Sequence, residues 1–175
     1  TGSITGGAGI DSITWSDYST IRSVQLTGST VDGFTGTEAS ITAGFSEIDV
    51  LVGGSAADTL NGTADNATWQ FGTDYRYILG SQQLVFSGFD NLVGGAGVDS
   101  FTFIGNASFT GTLDGAGGID LLDFAGYDSG VTINLAAMTA SPLTGTFSNI
   151  EALVGSIYDD RLIGTNSGST FTVSG

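Results

Sequence analysis

Apolar positions along this chain come in short runs, alternating or continuous, and almost nowhere at helical spacing. Residues 12–15, 24–26, 47–52, 68–71, 77–79, 84–86, 101–104, 121–124, 131–135, 152–154 and 170–173 form such runs. Most are rich in β-branched and aromatic side chains and are parted by Gly, Asn, Asp or Ser, which predicts β-strands joined by turns. One phrase organises them. Phe45-Ser46-Glu47-Ile48-Asp49-Val50-Leu51-Val52-Gly53 returns as Phe86-Ser87-Gly88-Phe89-Asp90-Asn91-Leu92-Val93-Gly94. It returns again as Phe147-Ser148-Asn149-Ile150-Glu151-Ala152-Leu153-Val154-Gly155. Leu51, Leu92 and Leu153 are 41 and 61 residues apart, near two and three times a length of about 20. A fixed period in that range predicts stacked turns.

Set out in rows of about 20 residues, the chain places Leu92, Leu113, Ile133 and Leu153 in one column, and Phe101, Leu122 and Leu162 near another. Such a column is what a coiled sheet requires, with each strand ~4.8 Å from the next and the same side chain turned inward. The expected fold is therefore all-β: a parallel β-solenoid of the β-helix or β-roll kind, right-handed, with about 20 residues per turn. A β-sandwich with Greek-key connections is the alternative, although it needs neither equal spacing nor a recurring column. Residues 51–63 echo 153–165 at a shift of 102, and 2–11 echo 111–120 at a shift of 109. The difference of seven residues predicts an irregular insertion, a bulged loop or irregular turn, at about 27–44. The chain, 1–175, reads as one domain that begins and ends in mid-pattern, as an excerpt of a longer array would. Trp15, Trp69, Phe101, Phe103, Phe124 and Phe171 are expected to fill the interior.

Composition narrows the chemistry. Eighteen acids face three Arg, with no Lys and no His, for a formal charge of −15. Such a surface repels nucleic acid, anionic lipid and acidic polysaccharide and attracts cations. Without cysteine there are no disulfides or thiolate sites, and without His or Cys the usual catalytic base and thiol nucleophile are missing. Without Lys there can be no Lys–Asn cross-link. No apolar run approaches ~18 residues, so no membrane-spanning helix is expected. An enzyme is not expected either.

Five segments, 6–13, 53–60, 94–101, 115–122 and 155–162, share a Gly, an Asp five residues later, and an apolar residue two further on. They resemble the G-G-x-G-x-D-x-apolar nonapeptide of RTX (repeats-in-toxin, haemolysin-type) proteins. Segments 6–11 and 94–99 fit fully; Ala56 replaces a Gly in 53–58, 115–120 opens Gly-Ala, and 155–160 keeps the first Gly alone. The resemblance implies calcium held between turns, with Asp11, Asp58, Asp99, Asp114, Asp120, Asp123 and Asp160 as candidate ligands. Asp99 and Asp120 are expected to stack one turn apart, with Asp114 or Asp123 near them. RTX nonapeptides run in tandem, however, and here one copy occurs per turn. The alternative is that each Asp caps its own turn through backbone N–H groups.

The stretch from about Glu47 onward, above all 119–135 and 147–151, is also similar to repeats of large bacterial surface and secreted proteins, the filamentous-haemagglutinin-like and RTX-type adhesins. That similarity implies a structural or adhesive module of an extracellular or cell-surface fibre. Its implied partners are neighbouring repeat modules, copies of itself, or a host surface or glycan. A calcium-binding module that folds on secretion is the second expectation, and a polysaccharide-binding or polysaccharide-processing β-helix the third. For sugar stacking the side chains to inspect are Tyr18, Tyr75, Tyr77, Tyr127 and Tyr158. Acidic-polysaccharide enzymes need basic residues at the substrate carboxylate, and Arg22, Arg76 and Arg161 are scattered.

Overall fold

A computed structural model of the chain describes residues 2–165 and 167, and within them the protein is all-β. The first strands are β1 (Ile4–Thr5), β2 (Ser12–Thr14), β3 (Ser23–Thr30), β4 (Gly33–Glu38), β5 (Ile41–Ile48) and β6 (Val50–Val52). Then come β7 (Thr59–Asn61), β8 (Thr68–Phe71), β9 (Tyr75–Leu79), β10 (Gln82–Ser87), β11 (Asn91–Gly95), β12 (Ser100–Gly105) and β13 (Thr112–Ala116). The last are β14 (Leu121–Tyr127), β15 (Thr132–Asn134), β16 (Thr139–Ala140), β17 (Phe147–Ser148), β18 (Ala152–Val154) and β19 (Arg161–Ile163). The predicted run at 170–173, with Phe171, lies outside the described residues.

The strands form two sheets of eight and one of three. One large sheet runs β1-β5-β4-β3-β7-β11-β13-β17, the other β2-β6-β10-β9-β8-β12-β14-β18, and β16-β15-β19 make the third. The two large sheets face each other across one core, where Phe34 of β4 meets Tyr77 of β9 edge-on with ring centroids 5.7 Å apart. Toward both ends the pairing is parallel. In the middle it is not: β3/β4, β4/β5, β8/β9 and β9/β10 are antiparallel, as is β15/β16. The sheets are therefore mixed, and the expectation of parallel pairing throughout fails there for a simple reason. Only two residues separate β9 from β10, Gly80 at φ +60° and Ser81, and a connection that short can join only antiparallel strands. The insertion expected as a loop at about 27–44 is likewise ordered into β3, β4 and β5.

Registers show how far the apolar columns hold. Leu92 does stack on Leu113, with Val24, Leu60 and Phe147 completing the row, all buried. Leu153 instead lies over Leu122 in the opposite sheet, in a row with Phe101 and Trp69. Ile133 pairs with Ala140 and Leu162 in the small sheet. Turns of unequal length produce this split: the step from one stacked residue to the next is 21 between Leu92 and Leu113 but 34 between Leu113 and Phe147. Trp15, Trp69, Phe101, Phe103 and Phe124 are buried as expected, and Phe71 stacks on Phe103 with ring centroids 4.3 Å apart and planes 16° from parallel.

Trp69, fully buried and touching Tyr77, Phe86 and Phe101, ties these rows together. Trp69→Ala is expected to cost about 3–5 kcal/mol in denaturant unfolding, whereas the same change at exposed Val31 should fall within about 0.5 kcal/mol.

Candidate functional site

The acids gather where the chain passes from one sheet to the other, just before a strand begins. There each carboxylate reaches across to the adjacent turn and accepts a backbone N–H. Asp99 Oδ1 takes the Ala67 N–H at 2.9 Å, Asp120 Oδ1 the Asp99 N–H at 2.7 Å, and Glu151 Oε2 the Asp120 N–H at 2.8 Å. On the opposite corner Asp58 Oδ1 takes the Arg22 N–H at 2.6 Å and Asp90 Oδ2 the Asp58 N–H at 3.2 Å. Asp49 Oδ2 takes the Asp11 N–H at 2.9 Å, and Asp160 Oδ1 the Val131 N–H at 2.8 Å. Among the described residues seven rungs form in this way, and in every one the carboxylate comes from the later turn.

The first Gly of the repeated motif exists to admit this carboxylate. A Cβ on Gly94 would lie 2.5 Å from Asp99 Oδ2 and 2.6 Å from the Gly115 carbonyl oxygen of the next turn. Gly115 stands in the same relation to Asp120 Oδ2, also at 2.5 Å, and Gly53 to Asp58 Oδ2 at 3.1 Å. Gly6 faces the Asp11 side chain, and Gly155 the Asp160 side chain. Both halves of the motif are thus one device: the Gly leaves a hole and the Asp five residues on fills it.

Of the predicted ligands, Asp11, Asp58, Asp99, Asp120 and Asp160 sit at these corners, but on different ladders. Asp114 and Asp123 form no rung: they accept the N–H of Ala116 (3.0 Å) and Ala125 (2.9 Å), and Asp114, near enough to Asp120 to repel it, also accepts from Asn149 Nδ2 at 2.7 Å. Asp49, Asp90 and Glu151 were not among the predicted residues although each is a rung. Their signal is the acid that ends Phe45–Asp49, Phe86–Asp90 and Phe147–Glu151 in the repeated phrase.

Among the described residues no three acids converge as a metal site, where calcium wants six to eight oxygens. Asp99 and Asp120 each retain one buried oxygen, Oδ2, without a partner, as does Asp11. Burial, together with the neighbouring Asp120 charge, raises the Asp99 carboxyl from 3.8 to about 6 against the pull of the Ala67 N–H. Burial also raises Asp120, with Glu151 and Asp114 adding repulsion.

The aromatic candidates make no exposed row. Tyr77 is buried, its hydroxyl accepting the Thr63 N–H at 2.9 Å, and the Tyr75 hydroxyl donates to the Ser108 carbonyl. Tyr127 packs against Phe124, Tyr18 is half covered by Arg22, whose guanidinium lies 4.2 Å from the ring centre, and Tyr158 is exposed. Arg22 also meets Glu38 at 3.5 Å, and Arg76 meets Asp74 at 3.5 Å. A shallow groove beside Tyr75 carries one acid, Asp74. No family model, curated protein or solved structure matches the chain.

Two measurements test the corners. Gly94→Ala is expected to destabilise by about 1–3 kcal/mol or more, through the clash with Asp99 and Gly115, while Gly2→Ala, whose added Cβ meets nothing within 4 Å, should be neutral. For pH the sign follows from a folded-state value above the unfolded one: the Asp99 contribution is fully present below about pH 4 and is lost as pH rises through about 6. Asp99→Asn, neutral at every pH, should flatten the stability difference between about pH 4 and 7.5 by up to about 3 kcal/mol, read as paired unfolding curves.

Proposed function

We propose that this chain is a structural or adhesive module of a bacterial extracellular or cell-surface fibre. In this reading it is an interrupted β-solenoid that acts as a stiff spacer about 35 Å deep, eight strands at the usual spacing. The observation that carries the reading is the use of the corner acids. Each rung carboxylate holds one turn to the next through a backbone N–H, so the acids serve shape rather than chemistry. The charge of −15 keeps such a module soluble and discourages nucleic acid as a partner. A polysaccharide-processing reading draws no support from the groove at Tyr75, where Asp74 is paired with Arg76 and no second acid faces it. Neighbouring modules and copies of the chain are the partners this reading implies, and a glycan or host surface would be met by exposed loops.

The calcium-binding reading is the second, and its one supporting observation is the spare buried oxygen on each of Asp99 and Asp120. Scanning calorimetry of the same sample in chelator and in millimolar calcium separates the two. The structural reading expects the same unfolding temperature in both. A rise with calcium that chelator reverses would replace it with the second.

A further inference from the structure

The hairpin that interrupts the second large sheet opens a gap at one corner of the molecule. The chain crosses from β10 to β11 and from β12 to β13 there, and β11 and β13 are neighbours in the first sheet. In the second sheet β10 and β12 are held apart by β8 and β9, which add two strand spacings, about 10 Å. Residues 72–74 join β8 straight to β9, so no chain crosses this corner at their level. Three adjoining hollows lie there. One, about 390 Å³, sits among Asp74, Tyr75 and Ser87, and another, about 290 Å³, extends past Tyr75 to Asp90 and Thr110. The third, about 370 Å³, adjoins the first at Gly72 and Thr73 and reaches Asn106. Together they make one open trough, on the scale of the about 300–1,000 Å³ of small-ligand clefts.

The trough offers hydroxyl chemistry without positive charge. Thr73, Ser87, Ser108 and Thr110 are exposed along it, and among the described residues none of their hydroxyls bonds to another protein group. No Arg lines any of the three hollows, and the chain has no Lys or His. Both acids are engaged, Asp74 with Arg76 at 3.5 Å and Asp90 with the Asp58 N–H at 3.2 Å. An anionic ligand therefore meets carboxylates with no counter-charge, and an apolar one strips water from four hydroxyls and returns no bonds. An uncharged polyol both gives and takes bonds at each. Tyr75 supplies a fixed apolar flank between two of the hollows. Its ring is held by Phe71, Phe86 and Phe109, and its hydroxyl by the Ser108 carbonyl. A larger hollow of about 610 Å³ opens beside Glu38, but Ser40 and Arg22 take up that carboxylate.

We infer that this trough binds an uncharged oligosaccharide, with Thr73, Ser87, Ser108 and Thr110 meeting the sugar hydroxyls and Tyr75 the apolar face of a ring. This rests on the reading of the chain as an adhesive module, and it names the class of glycan and the corner that holds it. The sugar is bound and released unchanged, since the trough has no unpaired acid or base to act on it. The hairpin β8/β9 that breaks the parallel winding is thus also what makes room for a ligand.

Amide NMR titration of the whole chain with maltohexaose, laminarihexaose and mannohexaose tests this. A galacturonate hexasaccharide serves as the acidic control and an uncharged hexapeptide as the peptide control. At least one neutral sugar is expected to shift the amides of Thr73, Tyr75, Ser87 and Ser108 saturably, and neither control to do so. Thr73→Ala combined with Ser87→Ala removes two exposed hydroxyls and is expected to weaken binding at least about fivefold. Should that variant fail to fold, the map of shifted amides in the wild type decides alone. Silence from all three neutral sugars, shifts that lie elsewhere, equal binding of either control, or unchanged binding by the folded variant would overturn the inference. Chelator is present throughout, and the calorimetric comparison with calcium is a separate readout. Loss of the trough's ligand and loss of the structural reading are therefore told apart.

Discussion

The hydrogen bond from a corner N–H to the carboxylate of the following turn is the constraint on which the rest of this structure depends. A turn between two sheets leaves backbone donors that neither sheet can satisfy, and a buried donor without a partner costs about 1–3 kcal/mol. Here the donor just before seven of the strands is met by an acid reaching over from the neighbouring turn, as with Ala67, Asp99 and Asp120 in succession, while those of Asp49, Asp90 and Glu151 go to backbone carbonyls. The same bond fixes the register of the strands that follow, since Ser100 then pairs with Thr68 and Leu121 with Ser100. At Asp58, Asp99, Asp120 and Asp160 it also dictates the Gly five residues earlier, whose missing side chain is the space the carboxylate occupies.

Fixing register at the corners lets the turns differ in length without disturbing the core. Rungs on this chain join residues 21, 31, 32, 36 and 38 apart. The excess is taken up by loops or by additional strands, and inside, the rows stay continuous. Val24, Leu60, Leu92, Leu113 and Phe147 line one sheet while Trp69, Phe101, Leu122 and Leu153 line the other. The cost falls on charge. Two carboxylates stacked within one buried ladder repel, and Asp99 holds its proton to about pH 6 as a result of burial and that neighbour.

The all-β class, the strands from 68 to 124 and the stacking of Leu92 on Leu113 could be read from alternation and repetition alone. Equal turns could not, because the interval between Leu113 and Phe147 holds β15 and β16, whose weak apolar pattern looks like any other strand. The antiparallel middle was written in the spacing of Tyr77–Leu79 and Leu84–Phe86, four residues apart and too close for a parallel crossover. At the corners, Gly and Asp at fixed separation marked the right places. Whether the Asp faced a cation or an N–H is decided by which oxygens converge, and only the fold supplies that. Asp90 and Glu151 escaped notice because Val85 and Thr146 stand where the motif has its Gly, and Asp49 because the Gly five residues before it, Gly44, faces Gly36 and Thr37 rather than the carboxylate.

The antiparallel hairpins at the middle of both sheets bear on the order in which the molecule can assemble. Strands β8, β9 and β10 are neighbours in sequence as well as in space, and so are β3, β4 and β5, so their contacts form after closing only short loops. Strands β1 and β2 have no such neighbours and must wait for residues 45–52. Local contacts thus favour early closure of the waist, with β1 and β2 able to dock only once residues 45–52 are in place.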